Sequence, residues 1–298
     1  MHDALRALGE VRPLRDPVLL AAFTGFTDGP GAATQAIRTL VTAWDAQPLA
    51  EMDPERFYDF TVHRPRTRLV DGERTIDWPE NKFWVASPEG SDRDFILFAG
   101  VEPHLRWRTF CAAVEDLLRE TGSTMSVTLG AQPSAVPHTR PLPVTLSASH
   151  PEFEEIFGLK APASRYQGQT GIVGVLNVHL RSLGWRNASL WAMSPHYLTV
   201  GPNPHIAIQL LNLVDHGFGT STPMADVQQE ADTFDEQVQQ VLDDSDEAKA
   251  YVLQLEEQYD SNRPALPPAP AEDRELPPTP QLLDDLEQFL REQRKDDR

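Results

Sequence analysis

Residues 17–44, PVLLAAFTGFTDGPGAATQAIRTLVTAW, decide the fold class. Pro17–Phe23 is a continuous apolar run, the pattern of a strand covered on both faces. It enters a glycine-rich turn, Thr24-Gly25-Phe26-Thr27-Asp28-Gly29-Pro30-Gly31, with Asp28 placed to cap a helix beginning just after it. Ala32, Ala33, Ala36, Ile37, Leu40, Val41 and Trp44 then recur at helical spacing. Strand, loop and amphipathic helix in that order open an α/β unit.

The same alternation continues downstream. Asp71-Gly72 between Arg66–Val70 and Glu73–Asp77 is a two-residue hairpin signal. Asp94–Ala99 reads as a second buried strand, running through Gly100-Val101-Glu102-Pro103 into a helix with Leu105, Phe110, Val114, Leu117 and Leu118 on one face. Strands are expected at 124–129, 143–147 and 188–193, and helices at 171–183 and 204–216. The predicted fold is a three-layer α/β/α domain over residues 15–218, its central sheet mixed because of the hairpin insert.

The remainder is different in kind. Residues 225–298 carry 21 Asp/Glu against 7 Lys/Arg, most of the excess behind a formal net charge of −19. An acidic helical appendage is expected at 219–260, with Val227, Phe234, Val238, Val241, Leu242, Tyr251, Val252 and Leu255 as its apolar anchors. A linker at 261–280 comes next, seven prolines of which fall within Pro264–Pro280. An amphipathic helix at 281–294 has Leu282, Leu283, Leu286, Phe289 and Leu290 in one stripe, and docking of that stripe is expected because so short a helix is marginal alone.

Composition excludes several roles. Hydrophobic residues make up 40% of the chain, enough for a core. The negative charge repels phosphates, so neither nucleic acid nor an anionic membrane is an expected partner. No apolar run approaches 18 residues, and the N-terminus lacks the apolar region of a signal peptide. A single cysteine, Cys111, fits a reducing compartment, so a cytoplasmic protein is predicted.

Five polar residues fall in strand-following loops, where open α/β sheets bind ligands: Asp28, Glu102, His138, Arg140 and His196. Asp28 and Glu102 together would suit a metal or acid/base chemistry. Their structural alternatives are a helix cap for Asp28, and for Glu102 a cap before Pro103 or a salt bridge to Arg106 or Arg140. Arg140 is expected to pair with Glu102 or Asp28. His138 and His196 lie beside prolines and suit either ligands or hydrogen-bonded loop anchors. The glycine turn lacks the dinucleotide fingerprint and the Gly-Lys-Ser/Thr of a phosphate loop. No zinc spacing and no Gly-x-Ser-x-Gly elbow occurs, so no cofactor and no metal are predicted. Cys111 sits mid-helix, where a buried inert thiol is expected. Trp44, Trp107, Trp185 and Trp191 are spaced as core or interface residues.

Taken in order, several segments resemble the proteasome assembly chaperone 2 family in its actinobacterial branch. They are Phe23–Gly31, Gly100-Val101-Glu102-Pro103 with Trp107, Pro137-His138-Thr139-Arg140-Pro141, Gly168–Leu176, and Trp191 with Pro195-His196-Tyr197. The resemblance implies a phosphorylase/hydrolase-like fold and self-association, a trimer being favoured. It also implies proteasome subunits as candidate partners. Relatives that dock through a C-terminal hydrophobic-Tyr-any tail differ from this sequence, which reads Arg294-Lys295-Asp296-Asp297-Arg298 at its end. The leading functional expectation is a non-catalytic assembly factor. The alternative is an enzyme or small-molecule binder whose five polar residues converge at the carboxyl ends of the strands.

Overall fold

The computed structural model describes residues 1–28, 31–164, 166–198 and 201–262. The strands are β1 (Leu5–Ala7), β2 (Val18–Thr24), β3 (Gln47–Met52), β4 (Arg66–Val70), β5 (Glu73–Asp77), β6 (Asn81–Ala86), β7 (Phe95–Val101), β8 (Met125–Ser134), β9 (Val144–Ala148) and β10 (Arg186–Pro195). The helices are α1 (Ala32–Ala43), α2 (Pro54–Phe57), α3 (Trp107–Thr121), α4 (Glu152–Phe157), α5 (Ile172–Ser182), α6 (Pro204–Phe218), α7 (Ala225–Asp243) and α8 (Asp246–Asn262).

Eight strands form one sheet in the order β1-β3-β6-β7-β2-β8-β10-β9. The central four, β7, β2, β8 and β10, run parallel. Antiparallel strands complete both flanks, β6, β3 and β1 on one side and β9 on the other. The mixed sheet expected from the sequence is present, but its antiparallel pairings come from β1, β3, β6 and β9 and not from the hairpin β4–β5, which lies outside it.

Because strand side chains alternate between faces, β2 feeds two cores at once. Val18, Leu20 and Ala22 join the cluster formed with α1, α4 and α6, whereas Leu19, Ala21 and Phe23 join the cluster formed with α3 and α5. Each fully buried Leu here contributes roughly 1.5–3 kcal/mol before ordering costs. This is why the run Val18–Phe23 shows no polar alternation: neither face meets water.

A third, smaller cluster lies under the C-terminal helices. Phe234, Val238 and Leu242 of α7 and Ala248, Val252 and Leu255 of α8 pack around Tyr197 and Leu198. These two residues come just after β10, and Ala135, just past β8, packs against the same cluster. Both strands are ten residues long and pair along their whole length, whereas β2 pairs with β8 only over Val18–Ala21. β8 and β10 thus overrun the central sheet and carry the appendage on their ends.

The hairpin β4–β5 forms a separate two-stranded sheet in the predicted register, Val70 opposite Glu73. Its turn residues Asp71 and Gly72 both have positive φ, 51° and 84°, as a type I′ turn requires. Two boundaries differ from expectation. Leu105 is not on the face of α3: Arg106 adopts a left-handed φ of 55° and the helix starts at Trp107, leaving Leu105 47% exposed. α8 runs to Asn262, so Ser261 and Asn262 are helical and not linker. The rest of the expected linker and the 281–294 helix lie outside the described residues. Among those described, no helix is long and apolar enough to cross a membrane.

Candidate functional site

The carboxyl ends of β2 and β7 meet at Glu102. Its main-chain N–H donates to Thr24 O at 2.8 Å, extending the parallel ladder by one bond. Its side chain turns back between two loops: Oε2 accepts from Phe26 N at 3.1 Å and Oε1 from Ile172 N at 2.7 Å. The second bond supplies the N-terminus of α5, whose Gly171 offers no side-chain cap. Space for the carboxylate exists because two neighbours are glycines. A Cβ on Gly25, which has φ +135°, would stand 2.9 Å from Glu102 Cβ, and one on Gly171 would stand 2.7 Å from Oε1. Glu102 is thus a helix cap, but of the distant α5 and not of the segment beyond Pro103. The expected salt bridge to Arg106 or Arg140 is replaced by main-chain donors.

Asp28 is fully buried and acts on α1. Oδ1 accepts from Ala33 N at 3.0 Å, and Oδ2 accepts from Thr34 N at 2.7 Å and from the Thr34 hydroxyl at 2.8 Å. Burial raises its carboxyl pKa above the ordinary value, against the pull of these donors. Gly31 at the N-cap position has no side chain to do this work.

His138, His196 and Arg140 face the C-terminal helices. Tyr197 accepts from the main-chain N–H of His138 at 2.9 Å and lies 2.7 Å from its Nδ1. Burial holds the His138 pKa below its usual value, opposed by Asp235 and Glu256 and reinforced by His205. His196 Nδ1 donates to the Ser134 carbonyl at 3.1 Å, which leaves Nε2 to accept from the Tyr251 hydroxyl at 2.9 Å. Arg140 pairs with Glu256 Oε1 at 3.1 Å and Asp260 Oδ2 at 2.9 Å. This corrects the expected pairing with Glu102 or Asp28. The acids that hold Arg140 are spaced i, i+4 on α8 and arrive from more than a hundred residues away.

The five residues therefore divide by their bonds. Asp28 and Glu102 hold the strand-end loops to α1 and α5, Arg140 and His196 hold α8, and His138 holds Tyr197 just beyond β10. Of the five, only Glu102 lines the open cleft of about 630 Å³ at the ends of β2 and β7. Asp59, Val62, His63, His104 and Trp107 line it too, and the sequence motifs did not single out the first four of these. His104 Nδ1 accepts from Asp59 N at 3.1 Å, which places the neutral ring's proton on Nε2. The His63 and His104 rings are 6.3 Å apart, and burial lowers the His63 pKa, helped by His104 and Arg66. His104 stands directly after Gly100-Val101-Glu102-Pro103, so its position past a strand end was available as a signal. Asp59 and His63 sit in a turn with no spacing to betray them. Among the described residues, no cluster of three or more His, Cys, Asp or Glu is arranged to hold a metal ion.

A model of the PAC2 family matches residues 22–242. The chain belongs to this family. The match runs from within β2 almost to the end of α7 and includes the cap residues Asp28 and Glu102. A PAC2 family protein from Streptomyces avermitilis is 36% identical, with a TM-score of 0.72 over 80% of this chain and 100% of its own. A proteasome-assembly chaperone homologue from Mycobacterium tuberculosis is 37% identical, with a TM-score of 0.70 over 79% of this chain and 99% of its own. Both relatives are actinobacterial, as the resemblance implied. The PbaB protein of Pyrococcus furiosus, an archaeal proteasome activator, shares the PAC2 fold at 17% identity, with a TM-score of 0.64 over 80% of this chain and 97% of its own. No curated protein matches the chain.

Proposed function

We propose that this PAC2 protein is a non-catalytic, self-associating assembly factor that acts on proteasome-related partners in the cytoplasm, as a trimer. In this reading, residues 15–218 form the core domain and 219–260 a binding appendage. One observation carries it. All five polar groups in the strand-end loops are engaged in holding backbone, a neighbouring helix or the buried Tyr197, so they supply shape and not reactivity. The description of the mycobacterial relative as a proteasome-assembly chaperone homologue supports the choice of partner. Light scattering tests self-association: three chains of 33.3 kDa are expected, and a monomer would refute it. Assembly of purified proteasome subunits with and without the protein tests the partner, and an unchanged rate and yield would refute that part.

The cleft favours a second reading, a small-molecule binder. Its position beyond β2 and β7 is where open α/β sheets take ligands, and His63, His104 and Asp59 are convergent polar groups. A thermal-shift screen comparing the native chain with His104→Ala separates the readings. A ligand that stabilises only the native chain would favour the binder.

A further inference from the structure

The β4–β5 hairpin stands apart from the main sheet, and every residue of its strands except Asp77 is exposed. A two-stranded sheet alone is marginal in water, so an uncovered apolar face on one calls for a partner. The register sorts its side chains. Leu69 lies opposite Arg74 and Thr67 opposite Ile76, which puts these four on one face. That face presents Leu69 at 71% and Ile76 at 48% exposure, one arginine, and no acid. The acids Glu73 and Asp77 fall on the other face, where Asp77 pairs with Arg68.

A complementary surface exists on the same chain. Residues 225–262 carry twelve Asp/Glu against Lys249 alone. On α8, Asp246, Ala250, Leu253 and Glu257 succeed one another at helical spacing and all are exposed, Leu253 by 58%. The stripe is an apolar centre with an acid at each end, about 16 Å long at 1.5 Å per residue. The hairpin face is an apolar centre beside a cation, its two cross-strand pairs about 7 Å apart along the strands.

We infer that the hairpin face of Thr67, Leu69, Arg74 and Ile76 docks on the α8 stripe of a second copy of this chain. The inference rests on the self-association proposed above and names its surfaces. Geometry separates the two within one chain. β5 leads into β6 and α8 packs beyond the end of β10, with three strands between β6 and β10 at about 4.8 Å per step. Both surfaces lie at the carboxyl end of the parallel strands, on opposite flanks. Copies related by one rotation axis along the strands each offer a hairpin to the next copy's α8, so the contact closes into a ring.

Sedimentation of the full chain across protein concentrations reads the association. Arg74→Glu and Glu257→Arg are each expected to weaken it at least about tenfold, and the double reversal to restore it. Leu253→Ser, at an exposed helix position that leaves the fold intact, is expected to weaken it as well. Far-UV circular dichroism spectra matching that of the native chain confirm that each variant is folded. An associating native chain that none of these changes affects overturns the inference and leaves self-association standing. A monomeric native chain overturns both. Singles that weaken association without rescue in the double variant overturn α8 as the occupant.

Discussion

Glu102 Oε1 accepts the main-chain N–H of Ile172 at 2.7 Å, so a side chain at the end of one strand caps a helix seventy residues later. The same carboxylate holds Phe26 N, and β2, β7 and α5 are locked at one point. Glu102→Ala orphans both donors and is expected to cost about 1.5–3 kcal/mol, the range for bonds to a charged group. Glu102→Gln keeps one acceptor oxygen and should cost less. Chemical denaturation of the three proteins gives the order.

Asp28→Ala removes three acceptor contacts from the start of α1. The loss of a cap costs about 1–2 kcal/mol, and full burial of Asp28 places this variant at the upper end. Circular dichroism melting should show a lowered midpoint, and Asp28→Ser, which retains one acceptor, should recover part of it.

Stability is expected to fall in acid through His138, which is bonded to the buried Tyr197. His138 has a folded pKa held below its ordinary 6.5, so above that value it is neutral in both states and its contribution is complete. As pH falls, the unfolded chain takes up the proton first, and stability drains away as pH drops through the folded pKa. The signature is a difference in melting temperature between native and His138→Asn that narrows from about pH 7.5 to about pH 5. His63 has a lowered pKa too, and taking the difference cancels its share.

Arg140→Ala breaks both ion pairs to α8. Ion pairs this exposed contribute little to folding, so global stability should barely move. Hydrogen exchange in α8 should accelerate while exchange in the central strands stays unchanged.

Cys111 is fully buried among Phe110, Ala113 and Val114, and burial pushes its thiol up to about 12. Thiol reagents should leave the native protein unmodified and label it only as it unfolds, which makes alkylation mass a direct readout of global opening.

The sequence disclosed the parts of the fold that satisfy their own needs locally. β2 and β7 are buried on both faces and read as unbroken apolar runs, and Asp71-Gly72 announces its own turn. β3 was not legible because Gln47-Pro48-Leu49-Ala50-Glu51-Met52 mixes polar residues with a proline and is a strand only through its neighbours, with a register shift between Pro48 and Ala50. The short α2 and α4 lack the length for a period to show. At the site, the helix-cap alternative for Asp28 was open to the sequence because its partners lie within six residues. The partners of Glu102 and Arg140 were not, since Ile172, Glu256 and Asp260 come near only through the tertiary fold.

The placement of β2 also sets a timetable. The first long strand of the chain lies between β7 and β8, which are synthesised much later, so Val18–Phe23 has no sheet partner until residues 95–101 and 125–128 exist. Loop closure over such separations is slow, and in the interval an apolar segment with high strand propensity is open to the wrong neighbours. Refolding yield should therefore fall steeply with protein concentration. The chain thus carries a folding hazard of its own, at the centre of its sheet.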